Sequence, residues 1–224
     1  MSAAGALRVA AKDLAVELRT RELLDAALLG ALALVVVAGV SLAAVPDTPE
    51  RAAAVLWTGA VVAALVPLAR SFTGEADRGT LDVLLALPVE RGALLLGKAL
   101  GNLVLTLAGV LVVLAAYLVL FADAGAVVVG PVLVPVLLLG ALGISVVGST
   151  LAAIAAQARG REALLPVLLF PLLLPVLLSA IPASIHALRG DHLADLAGEL
   201  QLLAGYDLVF LAAGWLLFEH VLEA

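Results

Sequence analysis

Long apolar runs, separated by short charged segments, dominate the pattern of the chain. Each of six runs can supply the roughly 20 residues that cross about 30 Å of hydrocarbon as an α-helix. In lipid, the backbone of such a run can satisfy its hydrogen bonds only as a helix. The pattern therefore predicts a single all-α transmembrane domain over residues 1–224. We place its six spans at 26–45, 52–71, 94–121, 132–156, 163–182 and 203–222.

The first 25 residues are more polar and have a different period. Leu7, Ala11, Leu14 and Leu18 recur at steps of four, three and four, which places them on one face of a helix. This pattern predicts an amphipathic helix in the membrane interface, with an ordinary solvated helix as the alternative. The uncharged run that follows is longer than a signal-peptide core, so we expect this region to stay in the mature chain.

Lysine and arginine are distributed unequally between the two sides of the predicted bundle. Ten of the 12 fall on one side, and only Arg51 and Arg189 fall on the other. Because cytoplasmic loops carry such an excess, we expect a multi-pass protein of the cell membrane with both termini in the cytoplasm. Residues 72–93 are then a cytoplasmic loop, and residues 183–202 are an external segment.

The composition argues against several classes of function. The chain is 64% hydrophobic, has a formal charge of −6 and contains no cysteine. Disulfides and cysteine-ligated metals are excluded, and an acidic balance gives no reason to expect a nucleic-acid partner. With no soluble catalytic domain, we expect no enzymatic activity, no catalytic residue and no metal site.

The centres of the predicted spans lack ionisable residues. Asp207 and Glu219 come closest, and the predicted boundaries place both near the ends of the sixth span. A carrier driven by an ion gradient needs such groups inside the bilayer. The sequence therefore argues against that class, and a partner would have to supply the energy for uphill transport.

One string, GALLLGKA at residues 92–99, matches part of a phosphate-binding loop. Ala99 stands where that loop needs Ser or Thr, and no strand precedes it. We interpret Lys98 as a cytoplasmic side chain that extends from a helix end, and Gly97 and Gly101 as positions of close helix packing. ATP hydrolysis is not expected from this chain.

The segment between the second and third spans carries the most information. Charges and glycines precede a short apolar helix, predicted over residues 80–87, with Thr80 as its N-cap and Pro88 at its end. This helix is too short to span the membrane and too apolar for the cytosol. We expect it to dock on a partner, and packing against its own bundle is the alternative.

Several features along the chain combine in a recognisable order. They are KDLAVELRTRELL before the first span, Leu56 and Trp57 in the second, F-x-x-E-x-x-x-G-T-L-D-x-L-L-x-L-P from Phe72 to Pro88, a Gly-Lys pair opening the third, and LLPVLLFPLLLPVLL in the fifth. In this order the chain resembles the CcmB family, or haem exporter protein B, the permease subunit of the cytochrome c maturation ABC transporter. The resemblance extends over nearly the whole chain.

The resemblance implies a non-catalytic ABC export permease subunit whose short helix couples to a separate cytoplasmic ATPase that binds the ATP. The positions that match the motif, and so carry over as ATPase-coupling residues, are Glu75, Arg78, Gly79, Thr80, Leu81, Leu84 and Pro88. It also implies a haem-handling membrane subunit, delivery of haem to an external haem chaperone, and two copies of the chain per complex.

Two further features bear on mechanism. Pro166, Pro171 and Pro175 interrupt the fifth span, where they would form a hinge or, alternatively, a fixed kink. Small residues between Gly140 and Ala152 give the fourth span a face suited to close helix packing.

Haem is the cargo that the resemblance implies, but no motif assigns its binding to particular residues. His186 and His192 in the external segment are the candidates for axial ligation, with solvated loop histidines as the alternative. Two other functions stay open from the sequence. One is an export permease for a drug, lipid or polysaccharide, and the other is a membrane assembly scaffold that transports nothing.

Overall fold

The computed structural model describes residues 3–77, 91–123, 126–156 and 161–221, and these residues form only helices, turns and loops. The helices are α1 (Ala3–Thr20), α2 (Glu22–Ser41), α3 (Pro49–Asp77), α4 (Arg91–Leu120), α5 (Leu133–Ala156), α6 (Arg161–Arg189) and α7 (Ala197–Val221). Within the described residues, α2 to α7 are the six helices long and apolar enough to cross a membrane. The predicted class, an all-α protein with six spans, is confirmed.

Several helices extend beyond the ranges expected from hydropathy. Helix α6 continues to Arg189 and α7 begins at Ala197, so the predicted external segment at 183–202 is helical apart from residues 190–196. Polar residues such as Glu199 and Gln201 lower the hydropathy of this region without interrupting the helix. The apolar pattern therefore marks the hydrocarbon-compatible part of a helix and misses its polar ends.

Helix α5 is the centre of the bundle, in contact with α3, α4, α6 and α7. Of its 24 residues, 17 are buried. Its glycines allow large side chains of α3 to approach: a Cβ added at Gly140 would overlap the ring of Trp57, and one at Gly148 would overlap Leu68. The small-residue face of this span therefore packs inside the bundle.

Trp57 joins three helices at this centre. Its ring lies against Gly140 of α5, and its Nε1 donates a hydrogen bond of 2.9 Å to Ser184 Oγ of α6. Both side chains are buried. Because a buried indole N–H needs an acceptor, the Ser184 hydroxyl fixes the orientation of the ring as well as its depth.

Helix α1 packs along α4 with a face of small residues, which differs from the face that the leucine pattern marks. Ala6 and Ala10 are buried, and a Cβ added at Gly97 of α4 would lie only 2.6 Å from the Cβ of Val9. Leu7 and Leu18 are exposed. Leu14 of the same stripe is half-buried, so the stripe faces away from the bundle at both ends of α1 but not at Leu14.

Candidate coupling site

The predicted coupling residues lie at the junction of α3 and α4. Glu75 is in the C-terminal part of α3, and α4 begins at Arg91. The remaining predicted positions and the short helix over 80–87 lie outside the described residues; these positions are Arg78, Gly79, Thr80, Leu81, Leu84 and Pro88. The structure describes the helices on either side of this segment.

Lys98, two turns into α4, is buried between α1 and α3. Its Nζ lies 3.0 Å from Asp13 Oδ2 of α1 and 5.6 Å from the ring centroid of Phe72 in α3. Lys12 also pairs with Asp13, at 3.1 Å. The side chain of Lys98 is only 5% exposed, so the expectation that it extends into the cytoplasm is wrong. A buried ammonium group needs a counter-charge, and Asp13 supplies it.

Gly97, the residue before Lys98, allows this contact. A Cβ at that position would lie 2.7 Å from the carbonyl oxygen of Ala6, closer than real side chains come. The expectation that Gly97 is a close-packing position is confirmed. Gly97 allows α1 to approach α4 closely, and Lys98 holds α1 there through its ion pair with Asp13.

Glu17 ties α1 to the start of α2. The chain turns at Arg21, whose φ of 57° lies in the left-handed region. Beyond this turn, Leu24 N donates a 2.7 Å hydrogen bond to Glu17 Oε1. The first N–H groups of a helix have no partner within the helix, and the buried Glu17 satisfies one of them. Helix α1 is thus held at two points, by α4 and by α2.

Polar side chains continue from this junction into the bundle. Asn102 Nδ2 donates hydrogen bonds to Ser71 Oγ of α3 at 3.1 Å and to Ser149 Oγ of α5 at 2.9 Å. One turn further along α4, Ser145 Oγ of α5 lies 3.3 Å from Thr106 Oγ1. Helix α4 is therefore connected by polar contacts to α1, α3 and α5.

A cavity of about 260 Å³ opens between α1, α3 and α4 at this end of the bundle. Charged and polar side chains line much of it, among them Asp13, Glu17, Arg70, Lys98 and Asn102. Its volume is below the roughly 300–1,000 Å³ of pockets that hold drug-sized ligands. We interpret the cavity as part of the junction rather than as a path for cargo.

The opposite end of the bundle is held by a second set of polar contacts. Arg189 pairs with Glu50, and the hydroxyl of Tyr117 donates a hydrogen bond to Asp47. Asp47 also accepts a 3.0 Å hydrogen bond from Asp123 N. These contacts join α3, α4 and α6 to the loops on the side expected to be external.

The two candidate haem ligands engage different carboxylates near the end of α6. His186 Nδ1 lies 2.7 Å from Asp191 Oδ2, and the backbone N–H of His192 donates to Asp195 Oδ2 at 2.9 Å. Among the described residues, no group of three His, Asp or Glu side chains could hold a metal ion. Axial ligation of haem by either histidine stays a prediction.

The prolines of the fifth span all lie inside one continuous helix, α6. Pro171 and Pro175 are on its exposed side. Pro175 leaves the carbonyl of Pro171 without its usual donor, because proline has no N–H. The carbonyl of the next residue, Leu172, accepts a hydrogen bond from the hydroxyl of Tyr206 in α7. Whether α6 bends during function stays a prediction.

Asp207, which the sequence places near the outer end of the sixth span, is a buried ionisable residue of α7. Helix α7 runs from Ala197 to Val221 and begins six residues before the predicted span, and Asp207 is the eleventh of its 25 residues. It is 2% exposed, and among the described residues neither of its carboxylate oxygens has a hydrogen-bond partner. Its depth in the membrane stays a prediction.

The six candidate spans and the α1 helix fastened to α4 define a multi-span membrane protein. The chain matches the CcmB protein over residues 4–223, essentially its whole length. It belongs to the CcmB family, the haem exporter permease component of the cytochrome c maturation ABC transporter. A search of the curated proteins found no match for it.

Proposed function

We propose that this chain transmits ATP-driven motion from a separate cytoplasmic ATPase into the membrane during the delivery of haem to an external haem chaperone. Membership of the CcmB family over residues 4–223 is the observation that carries this proposal. In it the ATPase subunit hydrolyses ATP, while this chain contributes no catalytic residue. Two copies of the chain, in the cell membrane with their termini in the cytoplasm, work beside a haem-handling membrane subunit.

The geometry of α4 supports a mechanical role for the segment that precedes it. Helix α4 begins directly after the proposed coupling residues, and Lys98 fastens it to α1 through Asp13. One turn later, Asn102 bonds to both α3 and α5. Because packed helices move as units rather than deforming continuously, a displacement at the start of α4 would reach α1 and the central helix α5.

The α1–α4 contact also gives the N-terminal helix a role in this scheme. With Gly97 against Ala6 and Val9, α1 cannot slide on α4 without a steric clash. Its exposed Leu7 and Leu18 face away from the bundle. In this proposal α1 rests on the lipid surface and follows α4, so that motion of the coupling segment is converted into tilting of α4 relative to the membrane.

The proposal is tested by placing a charge in the coupling segment. Leu84→Asp is expected to abolish co-purification with the ATPase subunit, or its stimulation, because an unpaired charge in an apolar dock is strongly unfavourable. Leu84→Met, which conserves volume and polarity, is the matched control and should retain both. Both variants are purified in mild detergent, and the ATPase subunit that co-elutes is quantified. Unchanged co-purification of the Leu84→Asp variant would contradict the assignment.

The cargo is tested separately from the coupling. A strain that lacks this gene is expected to fail in cytochrome c maturation and to recover when the gene is restored. A strain in which the partner ATPase cannot hydrolyse ATP is expected to show the same defect. Intact maturation in the first strain would indicate another cargo, and intact maturation in the second would indicate an assembly scaffold.

A further inference from the structure

Asp207 occupies a closely packed position between three helices. A Cβ added at Gly143 of α5 would lie 2.8 Å from Asp207 Oδ1 and 3.0 Å from Cγ2 of Val176 in α6. The carboxyl group therefore fills the space that the missing side chain of Gly143 leaves, with an apolar side chain beside it. Only 2% of the residue is exposed, although most of α7 faces outward.

Among the described side chains of the surrounding helices, no charged group pairs with Asp207. Helix α5 has no charged or titratable residue, and α6 has none between Leu164 and Ile185. In the described part of α4 after Arg91, the titratable groups are Lys98, paired with Asp13, and Tyr117, which is bonded to Asp47 near the opposite end. The neighbouring Tyr206 uses its hydroxyl to bond the carbonyl of Leu172.

These surroundings decide which form of the carboxyl group the packed bundle can hold. An ionised carboxylate without a partner is very costly inside a membrane-spanning bundle, whereas a neutral carboxylic acid lacks only its hydrogen bonds. We propose that Asp207 is a proton-binding site within the sixth span, and that its bound proton is required for α7 to pack against α5.

The proposal links proton binding to helix packing. A Cβ added at Gly214, two turns further along α7, would lie 2.7 Å from Thr150 Oγ1 of α5. The pairs 143/207 and 150/214 have the same spacing, so α5 and α7 run alongside each other in the same direction. Release of the proton leaves a carboxylate that needs water, and water can reach it only if α7 moves away from α5.

The sign of the linkage follows from this argument. The packed state holds the proton and the separated state releases it, so acid favours packing and alkali favours separation. The hydroxyl of Tyr206 bonds the carbonyl of Leu172 in α6. Helix α7 would therefore stay attached to α6 while it moves away from α5. This inference does not depend on the cargo or on the coupling segment, so it stands or falls separately from the proposed function.

Infrared spectroscopy of the full chain in lipid nanodiscs tests the proton directly. The difference spectrum between the native chain and Asp207→Asn, taken at neutral pH, should contain the carbonyl stretch of a protonated carboxylic acid. That band should disappear as the buffer is made alkaline. A difference spectrum with carboxylate bands alone at neutral pH would overturn the proposal. If Asp207→Asn does not fold, the same band is followed in the native chain as the pH is raised.

Cross-linking tests the link to packing. The chain contains no cysteine, so the pair Thr150→Cys and Gly214→Cys can be introduced alone. As the pH rises, disulfide formation in the Asp207 background should fall several-fold relative to the same pair combined with Asp207→Asn. Thiol oxidation itself depends on pH. Dividing the disulfide yield in one background by that in the other cancels this shared dependence. An equal yield in both backgrounds at every pH would overturn the link.

Discussion

At the scale of single residues, Lys98 and Asp207 show two ways of burying an ionisable group in this bundle. Lys98 is held by Asp13 at 3.0 Å, beside the aromatic ring of Phe72. In the part of the chain that the structure describes, neither oxygen of Asp207 has a partner. The ion pair of Lys98 fastens two helices, whereas the unpaired carboxyl group of Asp207 packs in the bundle only when it is neutral.

Removing the charge of Lys98 should loosen α1. Lys98→Met keeps the length of the side chain but removes its ion pair with Asp13, which is 27% exposed and keeps Lys12 as a partner, so we expect a loss of about 0.5–1.5 kcal/mol. We expect a lower Tm in detergent, measured by the thermal unfolding of the purified chain.

The control for this prediction removes both members of the pair. In Lys98→Met with Asp13→Leu both members of the ion pair are replaced, so the double variant should lose less stability than the sum of the two single variants. A Tm for Lys98→Met equal to that of the native chain would show that the ion pair does not hold α1 in place.

At the scale of helices, α5 organises the bundle because its glycines let α3 come close. The ring of Trp57 occupies the space above Gly140, and Ser184 of α6 fixes its orientation. This contact depends on the absence of one methyl group. Gly140 is far from the coupling segment in sequence. Loss of its contact with Trp57 should therefore lower the stability of the fold before it affects coupling to the ATPase.

Gly140→Ala should destabilise the chain by about 1–3 kcal/mol, because overpacking forces the buried Trp57 out of its position. Gly205→Ala is the matched control: that glycine is also in the middle of a helix, and a Cβ there would meet no atom within 4 Å. Thermal unfolding should show a lower Tm for the first variant and no loss for the second. Equal Tm values would contradict the packing described for α5.

Asn102 offers a test of motion rather than of stability. Asn102→Leu removes the hydrogen bonds from α4 to Ser71 and Ser149, and such bonds between membrane helices contribute about 0.6–1.7 kcal/mol. We expect the ATPase subunit to bind this variant normally, while cytochrome c maturation falls several-fold. Maturation at the native level would show that the Asn102 contacts do not transmit the motion.

The helices could be predicted from the sequence, but the contacts between them could not. Uncharged runs and the period of the first 25 residues were enough to give seven helices, because lipid leaves the backbone no alternative. The pairing of Asp13 with Lys98 joins residues 85 positions apart, and a lysine near a helix end ordinarily extends to water. The start of α7 at Ala197 could not be predicted, because Glu199 and Gln201 lower the hydropathy of its first turns.

At the scale of the whole molecule, the two ends of the bundle differ in their content of basic residues, which is the property that orients a membrane protein. One end holds the start of α4, Lys98 and the N-terminal helix. The other holds Arg51, which donates a hydrogen bond to the carbonyl of Val45, and Arg189, which pairs with Glu50. An excess of basic residues marks the cytoplasmic side. The coupling segment, which joins α3 to α4, is expected on that side.

Single cysteines can test this orientation, because the native chain has none. Thr20 at the end of α1 and Leu193 in the loop after α6 are both exposed. In intact cells, a membrane-impermeant maleimide should label Leu193→Cys and leave Thr20→Cys unlabelled. Both should react after the membrane is opened. The reverse pattern would place the termini outside.

Photo-cross-linking from position 84 tests the central claim most directly, which is that a segment between α3 and α4 docks on a separate ATPase. A photoreactive amino acid in place of Leu84 should cross-link to the ATPase subunit in intact cells, while the same amino acid at Leu193 should not. Capture of the ATPase from position 84 is the result that this account predicts. Cross-links from position 84 that recover only lipid or external proteins would contradict it.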